Sequence, residues 1–136
     1  MPAMDYVAFD RGHLSGVLRL CEAEGWPTLP ADPERAERAL TAPGVITVVA
    51  VADGDVAGFA QMLTDGAIQA YLAVVAVAGS ARGQGVGRRL VEEAFVRSGA
   101  QRVDFLALDD TEALYRAFAH RTLPGYRLYP GADPAT

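Results

Sequence analysis

The 136-residue chain contains no lysine, so all 12 of its basic residues are arginines. No side-chain amine is therefore available to form a Schiff base or to be acetylated by the chain itself. A single cysteine, Cys21, excludes an internal disulfide and a cysteine metal cluster, and fits a reducing compartment. The two histidines, His13 and His120, stand far apart and make no metal signature. No uninterrupted apolar run approaches membrane-spanning length. The first residues, Met1-Pro2-Ala3-Met4-Asp5, lack the basic-then-apolar order of a secretory leader. Basic residues are outnumbered by 17 acidic ones, for a net charge of −5. A nucleic-acid surface, which needs clustered positive charge, is not expected. The expectation is a cytoplasmic, soluble protein with no metal, no membrane partner and no nucleic-acid partner.

The composition that remains is globular, with 51% hydrophobic and 21% charged residues. The length suits one domain, residues 1–136, with a sizeable core. Tyr6 to Phe9 reads as a short strand ended by Gly12. Leu14, Val17, Leu18 and Cys21 recur at helical spacing, which predicts a helix from His13 to Glu24. Gly25-Trp26-Pro27 opens a rigid loop. Asp32-Pro33 then supplies a cap and a first-turn proline for a helix to about Leu40. From Val45 the pattern becomes β-branched: Val45 to Val51 and Val56 to Leu63 flank Asp53-Gly54, a hairpin signal. A third strand runs from Ile68 to Val77. A helix from Gln84 to Ser98 follows, closed by Gly99, and then a strand from Arg102 to Leu108. That strand is reached through a helix, so it is expected to run parallel to its predecessor. Asp110 is positioned to cap a helix to about Ala119, and Tyr126 to Tyr129 reads as a closing strand.

Between the strand ending at Val77 and the next helix, Arg82 to Gly87 spell R-G-Q-G-V-G. Glycines there let a ligand approach the backbone, and the free amides of a helix start attract phosphate. A P-loop would need glycine then lysine after Gly79, but Gln84 stands five residues on and the chain has no lysine. A dinucleotide fingerprint needs G-x-G-x-x-G, and counting from Gly83 or Gly85 ends on Arg88 or Leu90. Asp104 lies about the right distance on for a ribose contact, but inside a strand-like run. The pattern R/Q-x-x-G-x-G/A is met at every fixed position by Arg82, Gly85 and Gly87.

On these residues the chain resembles the GCN5-related N-acetyltransferases (GNAT), whose acyl-CoA motif has that spacing. Asp110-Thr111-Glu112-Ala113-Leu114-Tyr115 is similar to the family's helix after strand five, with Thr111 where an asparagine is common. The resemblance runs over roughly residues 45 to 130. It implies an α+β, three-layer GNAT fold: a mixed, mostly antiparallel sheet in the order βααβββαβαβ, flanked by helices, with parallel strands four and five splaying apart. It also implies acetyl-CoA as cosubstrate, a small-molecule primary amine as acceptor, and a homodimer by family habit. The alternative is a non-catalytic acyl-CoA-binding sensor or regulatory module of the same fold.

The resemblance assigns the pyrophosphate to Arg82, Gly83, Gln84, Gly85, Val86, Gly87 and Arg88. The plain alternative is a tight turn without a ligand, with Arg88 solvated. Val75 and Val77 would offer backbone groups to the pantetheine arm, although their side chains read simply as core. Tyr115 would be the general acid that protonates the leaving thiolate, or else an aromatic packing on the sheet. Glu22, Glu24, Asp65, Asp109 and Glu112 are all carboxylates available as a base. The resemblance favours Glu24 and Asp65, whose neighbourhoods border the acceptor site in the family. Trp26 and Tyr71 are candidate walls of that site. Cys21 reads as core, His13 as near a helix start and His120 as near a helix end. In the family the tyrosine helix runs into a Gly-Phe pair. Here Ala119-His120 stands near that position and Gly125-Tyr126 follows an insertion, Arg121 to Pro124, so residues 119–125 are expected to reshape the acceptor side.

Overall fold

The computed structural model describes residues 3–107 and 112–135 of the chain. It divides into two compact units, residues 1–105 and 106–136. In the first unit a five-stranded sheet has the order β1-β2-β3-β4-β5. The strands are β1 (Asp5–Ala8), β2 (Val45–Ala52), β3 (Asp55–Thr64), β4 (Gln69–Val77) and β5 (Arg102–Asp104). The first four pair antiparallel, and β5 joins β4 in parallel. Three helices accompany them: α1 (Leu14–Glu24), α2 (Pro33–Thr41) and α3 (Val86–Ser98).

Local chemistry sets most of these boundaries. The Asp32 side chain accepts the Arg35 N–H at 3.1 Å to start α2, with Pro33 in its first turn. α1 stops at Gly25, whose φ is 76°. The Gly25 and Trp26 amides fold back onto the Glu22 and Cys21 carbonyls at 3.0 and 2.9 Å, a Schellman closure. His13 precedes α1 in a single 3-10 turn, where its Nδ1 accepts the Asp10 N–H at 3.0 Å. That role is structural, as its place near a helix start suggests.

One face of the sheet packs against α1 and α2 through Val17, Leu20, Cys21 and Leu40, set on Val49, Phe59 and Ala76. Burying each large side chain here contributes about 1.5–3 kcal/mol. Burial also pushes the Cys21 thiol above its ordinary pKa, which leaves it a core group. Sheet side chains satisfy the last carbonyls of α2: Thr47 Oγ1 donates to Leu40 O at 2.7 Å and Gln61 Nε2 to Ala39 O at 3.1 Å. α3 covers the other face and comes close at Gly58, where a Cβ would lie 2.9 Å from Ala76 O and 3.0 Å from Leu90 Cδ1. At β1, Glu93 accepts from both Arg89 and Arg97, and Arg89 lies over the Tyr6 ring at 5.1 Å.

The fold class is therefore the one the sequence implies, an α+β mixed sheet with parallel β4 and β5 between helical layers. Several elements differ from expectation. α3 begins at Val86 rather than Gln84, because the chain stays in the glycine turn through Gly85. β5 ends at Asp104 rather than Leu108, which lies outside the described residues. Tyr126 to Tyr129 form no strand: Tyr126, Leu128 and Tyr129 are 82%, 77% and 68% exposed. A tyrosine-leucine alternation has strand propensity, but a strand needs a partner ladder and a buried face.

In the second unit, α4 covers Glu112–Arg116. It is shorter than expected, because a turn at Ala117 and Phe118 closes it, their amides bonding to Leu114 and Tyr115 carbonyls. The expected cap, Asp110, lies outside the described residues. Gly125 packs against Leu106, so closely that any Cβ would overlap the leucine.

Candidate active site

The central feature is the way β5 leaves β4. Their parallel register covers only Gln69 with Arg102, Ala70 with Val103 and Tyr71 with Asp104. From Leu72 to Val77, β4 continues beside β3 with no parallel partner among the described residues. Backbone N–H and C=O groups on such an edge, other than Val77 O, which accepts from Arg82, suit an extended, amide-bearing ligand. The departure coincides with a bulge. Opposite Gln61 and Met62 stand Val74 and Leu72, so Ala73 is an extra residue that bends β4 at this point. Nothing in the sequence marks the bulge, since Ala73 has no turn chemistry.

β4 then delivers the glycine turn. A 3-10 turn spans Gly79–Ala81, and Gly83 and Gly85 follow with φ of 76° and 80°. Both lie in the left-handed region that favours glycine, and a Cβ at either would meet nothing within 4 Å. The glycines are required by conformation, and the space around them is open to a ligand. Gly85 caps α3, and the first intrahelical bond runs from the Arg89 N–H to Gly85 O at 3.0 Å. The amides of Val86 and Gly87, in the first turn, have no intrahelical acceptor and sit at the positive end of the helix dipole. Arginine side chains surround the turn, but each is engaged. Arg82 Nε donates to Val77 O at 3.2 Å, and its Nη2 is paired with Glu24. Arg88 lies 3.4 Å from Glu92, and Gln84 Nε2 donates to Ser80 O at 3.3 Å.

The structure thus gathers Val75, Val77 and residues 82–88 along one strand end, turn and helix start. Val75 pairs with Ala60, and the Val77 carbonyl is taken by Arg82. The two expected bases are set apart. Glu24 ends α1 and reaches the glycine turn, whereas Asp65 lies in the turn before β4, at its opposite end. Asp65 Oδ1 accepts the N–H groups of Ala67 and Ile68 at 2.8 Å each and of Gln69 at 3.2 Å. These bonds hold its carboxyl below the usual pKa. Asp65 and Tyr71 line a depression of ≈ 480 Å³ with Leu63, Pro43 and Gln69. Trp26, 36% exposed, lines another of ≈ 430 Å³ with Glu22 and Pro27. Asp109 lies outside the described residues, as does the side chain of Glu112. In the second unit, Tyr115 is half-buried and meets His120 edge-on, ring centroids 5.1 Å apart. Among the described residues, no group of three His, Cys, Asp or Glu is placed to hold a metal, and no helix is long and apolar enough to cross a membrane.

A mixed sheet whose parallel pair spans three residues thus leads, through β4, into a glycine turn at a helix start. The chain belongs to the acetyltransferase (GNAT) family, whose model matches residues 8–121. Solved structures of the same fold include an aminoglycoside N-acetyltransferase, AAC(6')-Iy, in complex with CoA. It is 21% identical, with 94% of this chain and 96% of that one covered and a TM-score of 0.73. A ribosomal-protein-alanine N-acetyltransferase from Brucella melitensis biovar Abortus 2308 is 17% identical, with 93% and 99% covered and a TM-score of 0.75. A transcriptional regulator from Bacillus halodurans C-125 is 15% identical, with 93% and 99% covered and a TM-score of 0.74. No curated protein matches the chain.

Proposed function

We propose that the protein is an N-acetyltransferase that moves the acetyl group of acetyl-CoA directly to a primary amine of a small molecule. The observation that carries this reading is the Leu72–Val77 stretch of β4, which has no parallel strand beside it among the described residues, running into the left-handed Gly83 and Gly85. A strand edge suits the peptide-like pantetheine arm, and the amides of residues 83–87 suit its pyrophosphate. The family match runs through both compact units, and we take them as one catalytic domain.

In this reading the amine nitrogen attacks the thioester carbonyl carbon. A β4 backbone N–H steadies the negative charge that develops on the carbonyl oxygen. The oxyanion collapses and the C–S bond breaks, the phenol of Tyr115 gives its proton to the departing thiolate, and the new amide nitrogen loses a proton to solvent, which returns one to the phenolate. Of the two carboxylates, Asp65 makes the weaker base, because four backbone contacts favour its ionised form. Glu24 stands nearer the donor turn. Exposed Leu123, Tyr126, Leu128 and Tyr129 favour a homodimer, which light scattering measures.

The test is thiol release from acetyl-CoA across a panel of polyamines, aminoglycosides, amino acids and other small amines, alongside calorimetry of CoA. Release with at least one amine supports the enzyme. A second reading, a CoA-binding regulatory module, draws on the engagement of both candidate bases. CoA binding with no thiol release from any amine selects it.

A further inference from the structure

We propose that Glu24 is a positioning residue for the donor turn, acting through Arg82 rather than on the amine; this rests on the reading of residues 82–88 as the CoA cradle. Arg82 is the first residue of that turn, and its guanidinium bridges two other elements. Nε holds the last carbonyl of β4, Val77 O, at 3.2 Å, and Nη2 holds the carboxylate at the end of α1. The two partners are set independently of the turn. Val77 is fixed by its pairing with Gly58, and Glu24 by the Schellman closure at Gly25 and Trp26 one residue later. The Glu24 side chain is 26% exposed and that of Arg82 58%, so the carboxylate is the more enclosed partner.

The need for such a brace follows from what comes next. Gly83 and Gly85 have no neighbour within 4 Å of a Cβ position, so no side-chain packing restrains them. Glycine backbone also has the most freedom to lose when a ligand orders it. A guanidinium pinned at both ends starts the turn in one geometry and lowers that ordering cost before CoA arrives. The pair joins residues 58 positions apart and ties α1 to the phosphate end of the cradle. A carboxylate spent in this way is directed toward the pyrophosphate turn rather than toward the acetyl group.

Calorimetry with CoA tests this on Glu24→Gln, Arg82→Ala and the double variant. Glu24→Gln is expected to raise the CoA Kd about three- to fivefold, the range open to an exposed ion pair. Arg82→Ala should raise it at least as much, and the double variant should match Arg82→Ala alone. Melting temperatures should stay near wild type, which a merely structural role for Glu24 would not allow. If Glu24→Gln melts early, Glu24→Asp carries the test: it keeps the charge, withdraws the carboxylate by one methylene, and should give the same rise in Kd. An unchanged or lower Kd in the Glu24 variants, or independent effects in the double variant, overturns the proposal while Arg82→Ala still weakens CoA. Wild-type protein that binds no CoA overturns the cradle reading itself.

Discussion

At its start β4 emerges from a turn in which nearly every polar group is committed. Asp65 gathers three successive backbone amides, Thr64 Oγ1 donates to Ser98 O at 2.9 Å, and the Gln101 amide donates to Ile68 O at 2.9 Å. At its finish the same strand loses its parallel neighbour and runs into two glycines whose surroundings are empty. The first end joins β3, α3 and β5 into one rigid corner. The second keeps backbone groups available at a helix start. The proposed cradle needs both, because an open edge keeps its shape only when the strand behind it is anchored.

The largest effect should come from filling the open end. Gly85→Glu puts a carboxylate where the pyrophosphate is proposed to lie and should weaken CoA on the order of a thousandfold by calorimetry. Near-normal CoA affinity in that variant would erase the contrast between the two ends. Next comes the chemistry proposed for the second unit: Tyr115→Phe should lower kcat about a hundredfold and leave CoA affinity unchanged. Equal losses in both would make Tyr115 a packing residue. Between the two ends, Gly58→Ala pushes a methyl against Ala76 O and Leu90 and should cost about 1–3 kcal/mol in denaturant unfolding.

The smallest effect is expected at the anchored end. Asp65→Asn should lower the melting temperature near neutral pH without moving CoA affinity. The Asp65 carboxyl titrates below its ordinary 3.8 in the folded protein. Its contribution is therefore present above that value and is lost as pH falls through the lowered folded pKa. The gap between wild type and variant should accordingly close on acidification. A variant that melts with wild type at neutral pH would assign the anchoring to Thr64 and Gln101 instead.

Features encoded over a few residues were readable in advance. The Asp53-Gly54 hairpin, the Asp32-Pro33 start, the Gly25 and Gly99 stops and the glycine turn before α3 all depend on neighbours in sequence, and the structure has them. What was not readable depends on distant partners. The Arg82–Glu24 pair has no spacing to betray it, and Asp65 looks like any surface carboxylate until its amides are placed around it. Tyr126 to Tyr129 failed in the opposite sense: the local pattern is strand-like, but the ladder it would need is not made.

The extra residue at Ala73 gives β4 two reading frames. Val74 stands opposite Gln61 and Tyr71 opposite Leu63, so side chains three apart in sequence share one face of the sheet. Deleting Ala73 would return the strand to simple alternation with every pairing kept, whereas drawing Ala73 into the ladder opposite Met62 would turn Gln69 to Leu72 over, sending Tyr71 to the α3 side and Leu72 out of its burial. A one-residue slip in register, harmless in most loops, is here a change of inside for outside.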